Sequence, residues 1–171
     1  MRAEAVEMVT SQRVLEAFQS ERVSARHFAP TNGYGYDDIG RDTLDRVFAR
    51  ALQAEAALVR PQFVNGTHAL FTTLAAICEP GDAILSITGK PYDTLEEAIG
   101  MRGNAPNSLA RFGIAFRSVA LDAEGNFDLD AIKNAVASDT KVVYAQRSRG
   151  YAWREALNMQ KLREAFAFVR A

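Results

Sequence analysis

A short polar motif, Val64–Ala69, has the residue types of an anion-binding loop. It follows an apolar run and precedes a segment with helical spacing, so Gly66, Thr67 and His68 are expected to open a helix. The first backbone N–H groups of a helix are free and the helix dipole favours negative charge. The Thr67 hydroxyl could donate a further hydrogen bond. The motif indicates either a phosphate site or a plain helix cap with a glycine turn.

A second motif, Lys90–Thr94, lies between a predicted strand end and a predicted helix start. Tyr92 stands where its ring could stack on a flat aromatic ligand held at the first motif. Spacing alone favours the alternative, in which Tyr92 is a partly buried packing residue.

A third segment, Gln146–Arg154, follows another apolar strand and contains three arginines and two aromatic residues. Guanidinium groups match carboxylate and phosphate geometry, which makes anion recognition one interpretation. The other is a solvated loop whose arginines pair with Asp and Glu. The sequence assigns no individual role to residues of this segment.

Other chemical motifs in the sequence are too weak to carry a function. The glycines of residues 31–40 have the wrong spacing for a dinucleotide fingerprint and do not follow a strand. His27, His68 and Cys78 have no metal-ligand spacing, so no metal site is predicted. A lone cysteine within an apolar helix is typical of a core residue.

The composition argues against several classes of partner. The 171 residues carry 20 Lys and Arg against 21 Asp and Glu, without the positive surplus that nucleic-acid binders need. No stretch reaches the roughly 18 apolar residues that span a bilayer, and the N-terminus has no secretory apolar region. The single cysteine and the lack of a secretion signal predict a reducing, cytoplasmic location. Neither nucleic acid nor a membrane is expected as a partner.

Alternating helices and strands must position these motifs. The predicted helices cover residues 3–20, 41–55, 66–78, 94–101, 128–137 and 159–170. The predicted strands cover residues 57–64, 83–87, 116–121 and 141–145. Short strands without polar alternation predict an α/β fold whose mainly parallel sheet is flanked by helices on both faces. Ligands of such sheets bind at the carboxyl ends of the strands, where all three motifs fall.

The chain resembles the aluminium-resistance, methionine γ-lyase-like proteins in four consecutive segments, TNGYGYDDIGRDTLDRVFA, NGTHALFTTLAAICEPGD, TGKPYDTLEEAIG and QRSRGYAWR. That family is related to the Cys/Met-metabolism lyases and belongs to the pyridoxal-phosphate (PLP) enzymes of fold type I. The similarity runs from about residue 28 to residue 170. It implies that the α/β fold is part of a fold-type-I PLP-dependent transferase-like large domain, incomplete in this chain.

The resemblance implies PLP as the cofactor and gives roles to four residues. Gly66, Thr67 and His68 match the loop that binds the PLP phosphate. Tyr92 matches the aromatic residue that stacks on the pyridine ring. The first of these roles agrees with the helix-start argument made above.

The resemblance also implies a homo-oligomer with shared cofactor sites. In related lyases, a Tyr and an Arg ahead of the second helix reach the phosphate site of the neighbouring subunit. Tyr34 or Tyr36, together with Arg41, are the candidates in this chain. Residues 1–40 would then form an N-terminal helix and subunit-contact loop, and residues 41–171 the N-terminal half of the PLP-binding large domain.

Two reacting groups of the family are expected to lie beyond this chain. They are the lysine that forms the Schiff base and the acid that pairs with the pyridine nitrogen. The four lysines do not fit the first role, since they fall in a turn, on two helices and at a strand start, at Lys90, Lys133, Lys161 and Lys141. The chain is therefore expected to be an N-terminal fragment that is inactive by itself, and no catalytic residue is assigned within it.

The implied reaction breaks a carbon–sulfur bond of an amino-acid substrate by elimination, after the α-proton is removed. Two alternatives stay open, namely other PLP chemistry such as transamination, and a non-catalytic remnant that binds a phosphate ligand or a partner. If residues 57–63 form the first strand of a fold-type-I sheet, that strand has no neighbour here. The isolated chain is then expected to be marginally stable, rearranged or dependent on a partner.

Overall fold

The helical and strand patterns are realised in the computed structural model, which describes residues 2–103, 105–150 and 153–170. Over these residues the α-helices are α1 Arg2–Ser20, α2 Ile39–Leu52, α3 Gly66–Ile77, α4 Asp93–Ile99, α5 Leu129–Ala135 and α6 Met159–Arg170. The strands are β1 Ala83–Ser86, β2 Ala115–Ser118 and β3 Thr140–Tyr144, and short 3-10 helices cover Ala25–Phe28 and Leu109–Phe112. None of the described helices is long and apolar enough to cross a membrane.

Contacts within the chain divide it into two compact units, Met1–Gln62 and Phe63–Ala171. In the first unit α1 packs against α2, with Ala17 and Val47 buried. The Glu21 carboxylate, just after α1, accepts hydrogen bonds from Arg46 and Arg50 of α2. The apolar spacing of residues 3–20 predicted α1 correctly, although most of its apolar side chains are exposed. The predicted division at residue 40 separates a subunit-contact segment from the PLP-binding part of the chain. Compactness does not test this functional division, so it stays a prediction.

The start of α2 is fixed by Asp38. Its carboxylate accepts one hydrogen bond from the Arg41 amide at 3.0 Å and another from the Thr31 hydroxyl at 2.9 Å. The hydrogen bond from the Arg41 amide, followed by that from the Thr31 hydroxyl, lowers the pKa of the Asp38 carboxyl below its usual value. Because the cap lies at residue 38, the helix begins at Ile39, two residues ahead of the predicted start.

The predicted strand over residues 57–64 is wrong. This segment pairs with no strand; instead the Val59 amide and the Arg60 guanidinium both donate to Asp45 of α2, each at 2.7 Å. Pro61 has no N–H to offer a sheet, and Val64 is exposed. The apolar composition of the run indicated burial, but a strand also needs a neighbour with free hydrogen-bonding groups. The expected low stability of the isolated chain rested on an unpaired strand at residues 57–63. That argument no longer applies, and low stability stays a prediction.

The second unit contains a parallel three-stranded sheet with the order β2-β1-β3. Ile84 of β1 lies beside Phe116 of β2 and Val142 of β3. The strands predicted over 83–87, 116–121 and 141–145 are confirmed, with observed strands that begin or end up to three residues away. The α/β class with a parallel sheet is therefore confirmed.

Helices cover both faces of this sheet, and every residue of β1 is buried. Helices α3 and α4 cover one face, where the buried cluster includes Leu74, Ile84, Leu95 and Ile99. Helices α5 and α6 cover the other face, where it includes Leu85, Ile87, Ile132 and Ala165. Successive residues of β1 thus face opposite layers, as the alternation of a strand requires.

The packing predicts a large cost for truncating the centre of this sheet. We expect Ile84→Ala to lower the free energy of unfolding of the second unit by about 2–5 kcal/mol, since a fully buried side chain leaves a cavity. Urea denaturation followed by circular dichroism measures the loss. Val136→Ala is the control, because Val136 is exposed and its truncation should cost less than about 1 kcal/mol. Equal losses in the two variants would contradict this account of the core.

Candidate functional site

The first turn of α3 presents two free backbone donors. Asn65 caps the helix, and its side-chain oxygen accepts from the His68 amide at 2.8 Å. The amides of Gly66 and Thr67 donate to no described residue. A side chain built on Gly66 would meet nothing within 4 Å, so the space beside this residue is open. The turn therefore has both the N-cap of the plain interpretation and donors that fit an anion.

Three hydroxyl groups meet at this turn. The Thr67 hydroxyl lies 3.2 Å from the Tyr92 phenol oxygen and 3.1 Å from the Thr94 hydroxyl. Thr67 lies in the first turn of α3, whereas Tyr92 and Thr94 lie at the start of α4. Because α3 packs against α4, the first and second sequence motifs form one site.

The His68 side chain has its contacts with Phe63 and Val64, the residues just before the first turn of α3. Its ring makes an edge contact with Phe63, with centroids 5.9 Å apart, and its Nδ1 accepts from the Val64 amide at 3.4 Å. Its own amide is already taken by Asn65. The structure therefore shows a local role for His68, and its predicted phosphate contact stays a prediction.

Tyr92 shares its core with a second tyrosine, Tyr144, that sequence reasoning missed. Tyr92 and Tyr144, the last residue of β3, both pack as partly buried side chains against the core beneath α3 and α4. Burial, with a smaller contribution from Tyr92, raises the pKa of Tyr144 to about 12. The Tyr144 phenol donates to the side-chain oxygen of Gln146 at 3.3 Å. In the sequence, the only signal for Tyr144 was an aromatic residue at the end of an apolar strand.

The third motif is held by backbone carbonyls. The Gln146 amide donates to the Thr88 hydroxyl at 2.9 Å, which ties the loop after β3 to the loop after β1. Arg147 donates to the Leu157 carbonyl and Arg154 to the Ser148 carbonyl, each at 2.9 Å. Among the described residues, no arginine of this motif pairs with a carboxylate, which is against the solvated-loop interpretation.

A cavity of about 300 Å³ lies at the carboxyl ends of β1 and β3. Its lining combines the second and third motifs and includes Thr88, Lys90, Tyr92, Gln146, Arg149 and Arg154. The second and third motifs follow β1 and β3, as expected, whereas the first motif follows residues 57–64, which form no strand, so for it the expectation is wrong. In the parts of the chain that the structure describes, no three His, Cys, Asp or Glu side chains are grouped to hold a metal ion.

The candidate subunit-contact residues lie in the first unit. The side chains of Tyr34 and Tyr36 are 79% and 84% exposed. The Arg41 guanidinium lies against Gly35. Gly35 has a φ of +82°, so the backbone favours glycine between the two tyrosines. Their contact with a neighbouring subunit stays a prediction.

Comparison with known proteins finds a family model that matches almost the whole chain. The family model described as methionine gamma-lyase matches residues 2–171. The chain belongs to the methionine gamma-lyase family. The uncharacterised protein YnbB of Bacillus subtilis is 47% identical to this chain over 159 residues. That alignment covers 92% of this chain and 38% of YnbB.

Solved structures agree with this assignment. One from Listeria monocytogenes, whose name carries a provisional assignment as a cystathionine beta-lyase involved in aluminium resistance, has a TM-score of 0.96 at 46% identity. One from Clostridium novyi, named a carbon–sulfur lyase involved in aluminium resistance, has a TM-score of 0.93 at 42% identity. They match 99% and 98% of this chain, which in turn covers 42% and 40% of theirs. The resemblance found in the sequence is confirmed, and this methionine gamma-lyase family chain spans about two fifths of these relatives.

The burial of Tyr144 predicts an alkaline loss of stability. Its pKa is about 12 in the folded chain against about 10 in the unfolded chain, so the neutral phenol favours folding. This contribution is complete below pH 10 and is lost as the pH rises from 10 to 12. We expect Tyr144→Phe to lose less stability between pH 9 and pH 11 than the parent chain, measured by urea denaturation. Tyr34→Phe, at an exposed site, should behave like the parent; identical losses in all three proteins would contradict the assignment.

Proposed function

We propose that this chain supplies the phosphate-binding and ring-stacking half of a PLP site in a carbon–sulfur lyase of amino-acid metabolism. The observation that carries the proposal is the hydroxyl cluster of Thr67, Tyr92 and Thr94 beside the open first turn of α3. Membership of the methionine gamma-lyase family and the name of the Clostridium novyi structure support the choice of reaction. The substrate would be a sulfur-containing amino acid, and the large domain would be of fold type I.

The residues of this chain fit a phosphorylated aromatic cofactor. Two free amides, those of Gly66 and Thr67, and the Thr67 hydroxyl are the donors for the phosphate. Tyr92 lines the adjoining cavity, where its ring would stack on the pyridine ring. When bound, PLP supplies an electron sink for the bonds around the α-carbon of the substrate.

Several side chains would keep this half-site in place. The Asn65 cap fixes the first turn of α3, so that the Gly66 and Thr67 amides stay directed at the same point. Packing of Tyr92 beside Tyr144 on the shared core limits the movement of the stacking ring. The neutral Tyr144 phenol in turn holds the Gln146 side chain at the mouth of the cavity. These residues bind and orient, and none of them transfers a proton in this proposal.

We further propose that the chain does not turn over substrate by itself. Lys133 lies on α5, Lys141 on β3, and Lys161 on α6 donates to the Gly125 carbonyl at 3.3 Å. Lys90 lines the cavity with Tyr92 but lies exposed in the turn after β1. The Schiff-base lysine and the partner of the pyridine nitrogen are assigned to residues outside this chain. We also propose that Tyr34 or Tyr36, together with Arg41, contributes to the cofactor site of a second subunit.

Cofactor binding tests the half-site directly. We expect stoichiometric PLP to bind the purified chain, with Thr67→Val weakening binding about tenfold or more, because it removes a hydrogen bond to a charged group. Equilibrium dialysis measures the affinity. Thr73→Val is the matched control, since Thr73 lies on the same helix and its hydroxyl bonds only the Ala69 carbonyl.

Two results would overturn the proposal. If PLP binds the parent chain and Thr67→Val equally well, the phosphate site lies elsewhere. If borohydride reduction fixes stoichiometric PLP to one lysine of the chain, such as Lys90, the Schiff-base lysine is present after all and the predicted inactivity is wrong. Absorbance spectra recorded before and after borohydride reduction show whether PLP is fixed to a lysine, and so distinguish the two results.

A further inference from the structure

The hydroxyl cluster of Thr67, Tyr92 and Thr94 contains one more proton than its internal hydrogen bonds can use. Its two contacts run from the Thr67 oxygen to the Tyr92 phenol oxygen at 3.2 Å and to the Thr94 hydroxyl at 3.1 Å. In the described part of the chain, neither the Tyr92 nor the Thr94 hydroxyl bonds any other residue. Each hydroxyl carries one proton and two lone pairs. Three protons shared over two contacts leave one proton directed out of the cluster.

The directions of the two contacts decide which hydroxyl carries this outward proton. If Thr67 donates to Tyr92 or to Thr94, the outward proton belongs to the residue that accepts. If both neighbours donate to Thr67, both lone pairs of Thr67 are filled and its own proton is the one that points outward. A phenol is a stronger donor and a weaker acceptor than an aliphatic hydroxyl, so Tyr92 donates to Thr67. The remaining choice lies between Thr67 and Thr94.

The surroundings of Thr67 and Thr94 differ in their fitness for an anion. Thr67 lies in the first turn of α3, where its own amide and that of Gly66 are free donors. The amide of Thr94 is taken by the carboxylate of Asp93 at 2.9 Å. That negative charge repels an anion beside Thr94. An anion at the start of α3 therefore favours the arrangement in which Thr67 carries the outward proton and Thr94 donates to Thr67.

The position of the Thr94 hydroxyl is fixed by the packing of α4. Leu95, the next residue, is completely buried in the core that also contains Leu74 of α3. The Tyr92 carbonyl accepts from the Leu95 amide at 3.0 Å, which closes the first turn of α4. The Thr94 side chain itself is exposed. Removal of its hydroxyl therefore changes the cluster without opening the core.

We infer that Thr94 is a positioning residue of the phosphate site, whose hydroxyl donates to the Thr67 oxygen and so turns the Thr67 proton towards the phosphate. Thr94 does not contact the phosphate in this arrangement. The presence of a phosphate rests on the proposed function, whereas the surplus proton follows from the cluster alone.

A double-mutant cycle tests this role with pyridoxamine phosphate, which has no aldehyde to react with lysines. We expect Thr94→Val to weaken its binding to the 171-residue chain by about threefold to tenfold, measured by equilibrium dialysis. In the Thr67→Val background the same substitution should change nothing, because Thr94 acts through the Thr67 hydroxyl. Thr94→Ser retains the hydroxyl and should bind like the parent. Thr73→Val, which removes a hydroxyl bonded to the Ala69 carbonyl, is the matched control and should also bind like the parent.

Two results overturn this inference and leave the proposed function standing, since the parent chain binds the ligand in both. One is an equal loss from Thr94→Val with and without the Thr67 hydroxyl, which would make Thr94 a direct ligand of the phosphate. The other is parent-like binding by Thr94→Val.

Titration with inorganic phosphate identifies the opposite case. Coupling between Thr67 and Thr94 in the binding of inorganic phosphate supports the present inference. If pyridoxamine phosphate then binds no more tightly than inorganic phosphate, the aromatic cofactor of the proposed function is wrong. Binding of neither ligand to the parent chain overturns both proposals.

Discussion

Complete burial of β1 between two helical layers is the constraint on which the rest of the second unit depends. Ile84 and Leu85 point into opposite layers, so the strand cannot shift by one residue without moving both into the wrong environment. Burial of its backbone requires partners on both sides, which β2 and β3 provide. The position of the strand end, and of every loop attached to it, follows from this packing.

The loops at that end are bound to one another by short hydrogen bonds, from both backbone and hydroxyl groups. The Ser86 hydroxyl donates to the Gly89 carbonyl at 2.6 Å, and the Gly89 amide donates to the Val119 carbonyl at 2.7 Å. Together with the bond from Gln146 to Thr88, these links join the segments that follow all three strands. A site built on such loops is held by the sheet, even though its residues come from segments more than fifty positions apart.

The start of α3 and the cavity at the carboxyl ends of β1 and β3 offer different kinds of donor. At the start of α3 the donors are neutral amides and hydroxyls, which in the proposed site would hold a phosphate through directed hydrogen bonds and the helix dipole. The cavity is lined instead by the charged side chains of Lys90, Arg149 and Arg154. Tyr92 belongs to both places, since its hydroxyl meets Thr67 and its side chain lines the cavity. One aromatic residue thereby links the proposed phosphate site to the space beside it.

Much of the fold was determined by the sequence itself, because helices and buried strands have local periods. The helix from Gly66 and three of the four predicted strands follow from neighbouring residues alone. The same local reasoning was wrong for residues 57–64, where an apolar run is anchored to Asp45 of α2 instead of a strand. Hydrogen bonding with a distant partner cannot be read from a run of residue types.

The sequence also determined which segments carry the chemistry, since glycine, hydroxyl and arginine motifs after strands are visible as spacing, and the four matching segments indicated the family. Only the tertiary structure decided which of their side chains meet. It joined Thr67 to Tyr92 and Thr94, placed His68 against Phe63, and committed Arg154 to backbone carbonyls. These outcomes depend on the directions of side chains brought together by packing over long sequence distances. No local pattern contains that information, because it arises only when the helices close on β1.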